Sequence, residues 1–493
     1  MSTAEATADV NRTRWQLMDR GRMISEMTDL KAEKEQWMTL QRVQKEQIDL
    51  DLKMAYLNRI DRLDRLKELI ENHESEWFEA LYSDLGKSEM ESYTSEITTA
   101  LNEIAYMKDH LKSWMEKETQ LNRKAIGKSE QSILRKPYGS VLIISPWNYP
   151  LQLTLVPLIG AVAAGNRCFV KPSEKSQAVS HLLNKTLSHY FEPEEIFVVE
   201  GEADTAQALL EMNWDHIFFT GSSEVGRNVY EAAARTLTPV TLELGGKNPC
   251  IVDGSLCTRE TVRKIVWGKF LNAGQTCIAP DTVYVHASVK EQFTRLAVET
   301  IREFYSREPE KSKDYGRMID EKHFDKIKSY LTQGDIVYGG SGRRETLFIE
   351  PTVMDNIETD APLAKEEIFG PVLPVVSYES LHDLLEMLKR QDAPLVTYLF
   401  TDKSSHIDEV EQAIKTGTLM VGQVIFHGAD PKIPFGGVGN SGMGRYHGRA
   451  SYETFTYEKV LYHQKKDYAN KMIFPPYKSG ALNTLRKVRK WFG

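Results

Sequence analysis

The chain is poor in cysteine, with four in 493 residues: Cys168, Cys250, Cys257 and Cys277. None forms a Cys-x-x-Cys pair or lies near a spaced histidine pair, so neither a disulfide framework nor a structural zinc is expected, and no metal site is predicted. Long apolar runs are missing as well. The most apolar stretch, Leu151 to Gly165, has 15 residues and includes Gln152, Thr154 and Pro157, whereas a membrane-spanning helix needs about 20. The N-terminus has no continuous apolar core and carries Glu5, Asp9, Asp19, Glu26 and Asp29, which argues against a secretory signal or an acid-poor transit peptide. A cytoplasmic location is the expectation. Excess positive charge is also absent: 62 basic against 70 acidic residues leave a net charge of −8, so nucleic acid is not an expected partner.

What is present is an ordinary globular composition, 41% hydrophobic and 27% charged, in a length that suits two or three domains of roughly 150 residues each. Residues 1–45 contain no proline and set Trp15, Met18, Met23, Ile24 and Met27 at loosely helical spacing, which predicts a helical extension. Leu52, Met54, Tyr56, Ile60, Leu63, Leu66 and Ile70 recur mostly every three to four residues, as in an amphipathic helix, and Ile97, Leu101, Ile104 and Met107 repeat the pattern. After Tyr138 short apolar runs at 141–144, 168–170, 196–199, 217–219 and 240–244 alternate with helical stretches. The alternation restarts beyond Gly246, at 250–252, 282–285, 372–376 and 396–400. Buried strands alternating with helices predict an α/β fold with two parallel-sheet domains, each sheet covered on both faces.

Cys277 follows the small, polar approach Asn272-Ala273-Gly274-Gln275-Thr276. A thiol is nucleophilic where a dipole, cation or polar loop stabilises its thiolate, and this approach suits one; an inert core cysteine fits the local sequence equally. Cys168 and Cys250 lie inside apolar runs and read as buried structural thiols, and Cys257 reads as a surface or boundary residue. Glu243 breaks the apolar run Val240-Thr241-Leu242 just before Leu244-Gly245-Gly246-Lys247. Desolvation there would raise its pKa toward the range of a general base, and pairing with Lys247 is the structural alternative. Asn148, in Ser145-Pro146-Trp147-Asn148-Tyr149-Pro150, is held between prolines and aromatics, so its amide is either a preorganised oxyanion donor or part of a structural turn. Gly221-Ser222-Ser223-Glu224-Val225-Gly226 follows a strand and opens a helix, where free amides could face a pyrophosphate, although the middle glycine of the dinucleotide fingerprint is missing. Lys171 and Glu174, just past another strand, either bond ribose hydroxyls or form a surface ion pair.

Taken in order, Asn148, Lys171 with Glu174, the Gly221–Gly226 loop, Glu243 in TLELGGK, Cys277 in GQTCIAP, Glu366-Glu367-Ile368-Phe369-Gly370-Pro371 and Pro434-Phe435-Gly436-Gly437 resemble the aldehyde dehydrogenase superfamily over about residues 55–478. PWNYPLQL, PVTLELGGKNPC, GKFLNAGQTCIAPD and PFGGVGNSGMGRYHG are similar to its class 3 branch, which includes fatty, aromatic and coniferyl aldehyde dehydrogenases. The resemblance implies oxidation of an aldehyde to a carboxylic acid, with Cys277 as nucleophile, Glu243 activating water and Asn148 holding the oxyanion. It implies a cofactor held by Trp147, Lys171, Glu174, Gly221, Ser222, Ser223, Glu224, Val225, Gly226, Glu367 and Phe369. Glu174 should accept from a free ribose 2′-hydroxyl and repel a 2′-phosphate, which favours NAD while leaving NADP open. A catalytically silent member of the fold, a CoA-acylating dehydrogenase and a cofactor-free cysteine hydrolase are the competing readings, and the intact Cys277, Glu243 and Asn148 argue against the first.

The expected organisation is an extension at 1–45, a cofactor domain at 46–244 with a bridging segment near 118–138, a catalytic domain at 245–435, and a return with bridging strand and basic tail at 436–493. A homodimer bridged through 118–138 and Tyr457–Tyr462 is expected from the resemblance. Two features depart from the family pattern: the extra N-terminal residues, and Val421-Gly422-Gln423-Val424 where an Asn-Asp pair is usual. The tail sets Leu482, Leu485, Val488, Trp491 and Phe492 among Lys478, Arg486, Lys487, Arg489 and Lys490, a basic amphipathic helix able to lie on an anionic membrane, with a solvated or intramolecularly docked tail as the alternative.

Overall fold

A computed structural model of the chain describes residues 30–48, 52–122, 127–467 and 474–492. Two large sheets organise it. The first has the order Gly442–Met443, Val240–Leu244, His216–Gly221, Ser140–Ile144, Arg167–Lys171, Ile196–Val198. All neighbours run parallel except the two-residue edge strand Gly442–Met443. Ser140–Ile144 and Arg167–Lys171 are buried along their whole length, as expected of strands covered on both faces. The second sheet has the order Asp335–Tyr338, Thr352–Asp355, Val372–Tyr378, Thr282–His286, Pro249–Val252, Val396–Phe400, Thr418–Val421, again parallel apart from its first pair. A third, antiparallel sheet joins Glu118–Asn122, Gly127–Pro137 and Thr456–Asp467.

The helix Gln152–Ala164 is buried on every side, which explains why its sequence is apolar all round. It ends at Gly165, in the left-handed region at φ 95°, where a Cβ would fall 2.4 Å from the Arg59 guanidinium. Arg59 donates to the Ala163 carbonyl at 3.2 Å, placing a cation at the negative end of the helix. Helix Leu30–Glu46 inserts Trp37 and Leu40 among Leu142, Phe169 and Trp214 of the first domain's core. Its buried Gln44 donates to the Pro193 carbonyl at 3.0 Å and accepts from the Ser140 hydroxyl at 2.9 Å. This part of the extension is therefore a strut on the first sheet; Trp15, Met18, Met23, Ile24 and Met27 lie outside the described residues.

Cys257 departs from the surface position expected of it. It is 6% exposed and packs in the core with Val262 and Phe293, because the loop after Pro249–Val252 folds back beneath helix Lys290–Tyr305, where Gln292 donates to the Cys257 carbonyl at 2.9 Å. The C-terminal helix spans Ala481–Phe492 with Leu482 exposed, and the side chains of Val488, Trp491 and Phe492 lie outside the described residues. Among the described residues, no helix is long and apolar enough to cross a membrane.

Candidate active site

Cys277 lies just past helix Arg259–Phe270, after a tight turn in which Asn272 and Ala273 adopt positive φ of 51° and 49°. Such strain persists only when neighbours over-determine it. Asn272 donates to the Gln275 carbonyl at 3.1 Å, and the Gln275 amide returns a bond to the Asn272 carbonyl at 3.0 Å. Gly274 follows at φ 78°, and a Cβ there would stand 2.3 Å from the Gly370 carbonyl oxygen, so this turn and the loop carrying Glu367 touch backbone to backbone. Beyond Cys277, Asn248 donates to the Cys277 carbonyl at 2.7 Å and Tyr398 donates to the Ile278 carbonyl at 2.5 Å. These polar atoms serve one another rather than the sulfur. Burial, with Glu367 and Glu243 nearby, pushes the Cys277 thiol up to about 12, while the backbone N–H groups of Cys277 and Ile278 favour the thiolate.

Asn148 is 3% exposed and donates through its side-chain amide to the Gln275 carbonyl at 3.0 Å, which ties it to the Cys277 loop and leaves the second N–H of the amide for another acceptor. Tyr149 next to it shares a 2.7 Å bond with the Thr276 hydroxyl. Glu243 is 3% exposed, and neither carboxylate oxygen has a hydrogen-bond partner among the described residues. Lys247 does not pair with it, bonding Asp281 at 2.6 Å instead. Burial therefore raises the Glu243 pKa well above the ordinary carboxylate value, with only Arg445 opposing. A cavity of about 590 Å³ opens on Cys277, walled by Tyr149, Leu153, Trp267, Phe426, Phe435 and Tyr446, with Glu91 and Asp314 among its few charged groups. The unusual Gly422 takes φ 72° with open space where a Cβ would lie, and the turn that follows carries Phe426 onto this wall.

On the other side of Glu367, a crevice of about 600 Å³ between the two large sheets is lined by Ser223, Gly245, Gly246, Glu367 and Asn440. Gly245 lets the Glu367 carboxyl close in on the backbone, since a Cβ there would fall 2.0 Å from a Glu367 oxygen and push that side chain aside. Burial and then Asp281 raise Glu367 to about 8, and its Oε1 has no partner among the described residues. Lys171, 2% exposed at the end of its strand, bonds Glu174 at 2.9 Å; burial opposes the Glu174 charge but this bond holds its pKa below the ordinary value. The pair is not the surface salt bridge of the alternative reading. Ser222 caps helix Ser223–Ala234, accepting from the Val225 N–H at 3.4 Å, with Glu224 in the first turn. A Cβ at Gly226 would stand 2.6 Å from Leu244, so this glycine serves close strand–helix packing, and one at Gly221 would stand 2.6 Å from the Phe219 ring on the same strand. Trp147 and Phe369 meet edge to face at 5.4 Å, and His323 donates to the Phe369 carbonyl at 2.7 Å, holding Phe369 at φ 54°.

A crevice with a helix N-terminus and an orphaned buried carboxylate in its lining, together with a lysine–carboxylate pair at the end of strand Arg167–Lys171, fits a dinucleotide. Sequence reasoning missed His323, Asn272, Gln275, Asn248 and Tyr398. Each bonds a neighbour's backbone carbonyl, and only Asn272 and Gln275, in the small, polar approach to Cys277, carry a local signal.

Fold and site together define a nucleotide-dependent oxidoreductase of two α/β domains with a cysteine at their junction. The sequence model of the aldehyde dehydrogenase family matches residues 31–461, and the chain belongs to that family. The chain is similar to the 4,4'-diapolycopene-4,4'-dial dehydrogenase of Cytobacillus firmus, 49% identical over 81% of this chain and 88% of that protein. It is 39% identical to the dimeric NADP-preferring aldehyde dehydrogenase of Canis lupus familiaris, over 81% of this chain and 88% of the relative. Among solved structures, the substrate-bound state of Staphylococcus aureus AldH superposes with a TM-score of 0.86 at 36% identity, over 95% of this chain and 100% of that one. The protein is an NAD(P)-dependent aldehyde dehydrogenase of the class 3-like branch.

Proposed function

We propose that the enzyme oxidises medium- to long-chain aliphatic or aromatic aldehydes through a covalent intermediate on Cys277. The observation that carries this reading is an apolar cavity that opens on Cys277, with the buried carboxyls of Glu243 and Glu367 close enough to act on its thiol and Glu367 also lining the inter-sheet crevice. Once the Cys277 thiol has released its proton to solvent, the thiolate sulfur bonds to the aldehyde carbon as the carbonyl π bond breaks, and the resulting oxyanion accepts from the Asn148 amide and the Cys277 backbone N–H. Loss of hydride from that carbon leaves a thioester on Cys277. Glu243 takes a proton from water as it attacks the thioester, the carbon–sulfur bond breaks, and the carboxylic acid departs. NAD(P), when bound, supplies the hydride acceptor. Trp147, Lys171, Glu174, the Gly221–Gly226 helix start, Glu367 and Phe369 would hold it.

The aromatic and aliphatic wall suits an apolar substrate, and the name of the Cytobacillus relative points to a long conjugated dialdehyde as one member of the class. A homodimer is proposed on the exposed Tyr457, Val460, Leu461 and Tyr462 of the third sheet, together with the dimeric canine relative. The location proposed is cytoplasmic, with peripheral contact to anionic lipid through the basic helix Ala481–Phe492. Reduced-cofactor formation across short, long-chain and aromatic aldehydes, with Cys277→Ala as control, tests the catalytic reading. Turnover should favour the apolar substrates and be lost in the variant; a wild-type rate without the thiol would overturn it.

A further inference from the structure

The segment 86–97 takes no part in the chemistry above, yet it grips the loop that carries Asn148. Gly86 ends helix Glu74–Leu85 in the left-handed region at φ 64°, and Lys87 follows it. Ser88 caps the short helix Glu89–Ser92, which widens into a π-helical turn at Tyr93–Ile97 before narrowing again at Thr98. Inserted π-turns often mark functional positions, because they rotate one side chain out of the regular helical array. Glu96 lies on this turn and forms an ion pair with Lys87, both side chains fully buried.

Each partner also holds the backbone on one side of Pro150. The Lys87 ammonium donates to the Asn148 backbone carbonyl at 2.9 Å and stands 3.8 Å from the centre of the Tyr149 ring. The second oxygen of Glu96 accepts the N–H groups of Leu151 at 2.9 Å and Gln152 at 3.1 Å, at the start of the buried helix Gln152–Ala164. Asn272 adds a third hold, donating to the same Asn148 carbonyl at 2.7 Å. A buried ion pair rarely improves stability over an apolar pair of the same shape, so its use here calls for another reason. An oxyanion donor is effective only when it is already aimed at the point where charge develops, and small misplacements are costly.

We infer that the buried Lys87–Glu96 pair is a positioning device for the Asn148 amide, fixing the loop 147–152 so that this amide faces the oxyanion formed on Cys277. The inference rests on the role proposed for Asn148. Lys87→Met, and the neutral pair Lys87→Met with Glu96→Gln, are to be measured alone and in an Asn148→Ala background. The neutral pair leaves a glutamine carbonyl to accept from Leu151 and Gln152, so it decides the matter if Lys87→Met alone fails to fold. Steady-state kcat with aldehyde should fall about 10- to 100-fold, on the scale of a misaligned oxyanion donor. The rate of Cys277 alkylation by iodoacetamide, which needs no oxyanion donor, should stay within about twofold of wild type. In the Asn148→Ala background the same substitutions should add less than about threefold, since the group they position is gone. Full kcat in the neutral pair, or losses that multiply with Asn148→Ala, would overturn the inference. If Asn148→Ala itself keeps the wild-type kcat, the role of Asn148 is wrong and the inference falls with it.

Discussion

Among the described residues Glu243 has no hydrogen-bond partner for either oxygen, and burial holds it neutral well above the range of an exposed glutamate. A base must lose its proton before it can take one, so a raised pKa moves the active form toward higher pH. Steady-state turnover should therefore climb with pH along a limb above the ordinary carboxylate range, and that limb should disappear in Glu243→Gln. The same variant should lower kcat by about 10²- to 10⁴-fold, the usual contribution of a general base, while the first turnover still yields a burst of reduced cofactor because thioester formation precedes water attack. Persistence of a limb near 8 in Glu243→Gln would assign the titration to Glu367, whose burial beside Asp281 sets it at about 8. Glu174 makes a separate case. Its charge is stabilised by Lys171 and should repel a 2′-phosphate, so Glu174→Gln is expected to raise kcat/KM for NADP relative to NAD. Wild-type enzyme that already strongly prefers NADP would remove the basis of that argument.

Helix Leu52–Asn72 and the start of strand Ile196–Val198 are tied by a fork of charge. Arg62 donates to Glu195 at 2.7 Å and Arg65 at 2.9 Å, and the Arg65 guanidinium lies 4.5 Å from the centre of the Phe191 ring. Burial opposes the Glu195 charge, but the bonds from Arg65 and Arg62 win and hold its pKa down at about 2 from an ordinary 4.5. A carboxylate depressed in the folded state stabilises the fold above its unfolded pKa, and the contribution fades as pH falls through the folded value. A depression of this size corresponds to about 3 kcal/mol. Glu195→Gln should therefore lower stability by roughly that amount at pH 7, with the difference shrinking below pH 4.5 and gone near pH 2; denaturant melts at a series of pH values measure it. A difference independent of pH would mean that shape rather than charge holds this junction. None of this was legible beforehand. Strands Ser140–Ile144 and Val240–Leu244 announce themselves by β-branched runs, whereas Arg62, Arg65 and Glu195 are ordinary surface letters until the fold brings residues over 100 positions apart together.

At the scale of the whole molecule, the parallel sheets could be read in advance because buried strands leave strong local patterns, whereas Cys277, Glu243 and Asn148 stood out only through the order of several motifs taken together. The buried site of Cys257, the strut formed by Leu30–Glu46 and the Lys87–Glu96 clamp could not, because each depends on a distant surface that local sequence does not encode. The same limit applies to the third sheet. Its strand Thr456–Asp467 lies at an edge, paired on one side only with Gly127–Pro137, and it exposes Val460 at 68%, Leu461 at 51% and Tyr462 at 52%. A long edge strand with apolar side chains in water is a template for pairing with another chain, and native proteins normally cover or charge such an edge. Lys459, Lys465 and His463 interrupt this one without breaking the apolar row. If the edge is the dimer contact, Val460→Lys with Leu461→Glu should convert the protein from dimer to monomer in light scattering after size exclusion, with little change in kcat, since Cys277, Glu243 and Asn148 all come from the two large-sheet domains of one chain. A variant that remains dimeric would place the contact elsewhere. A variant that becomes monomeric and also loses activity would show that the sheet supports the site across the interface.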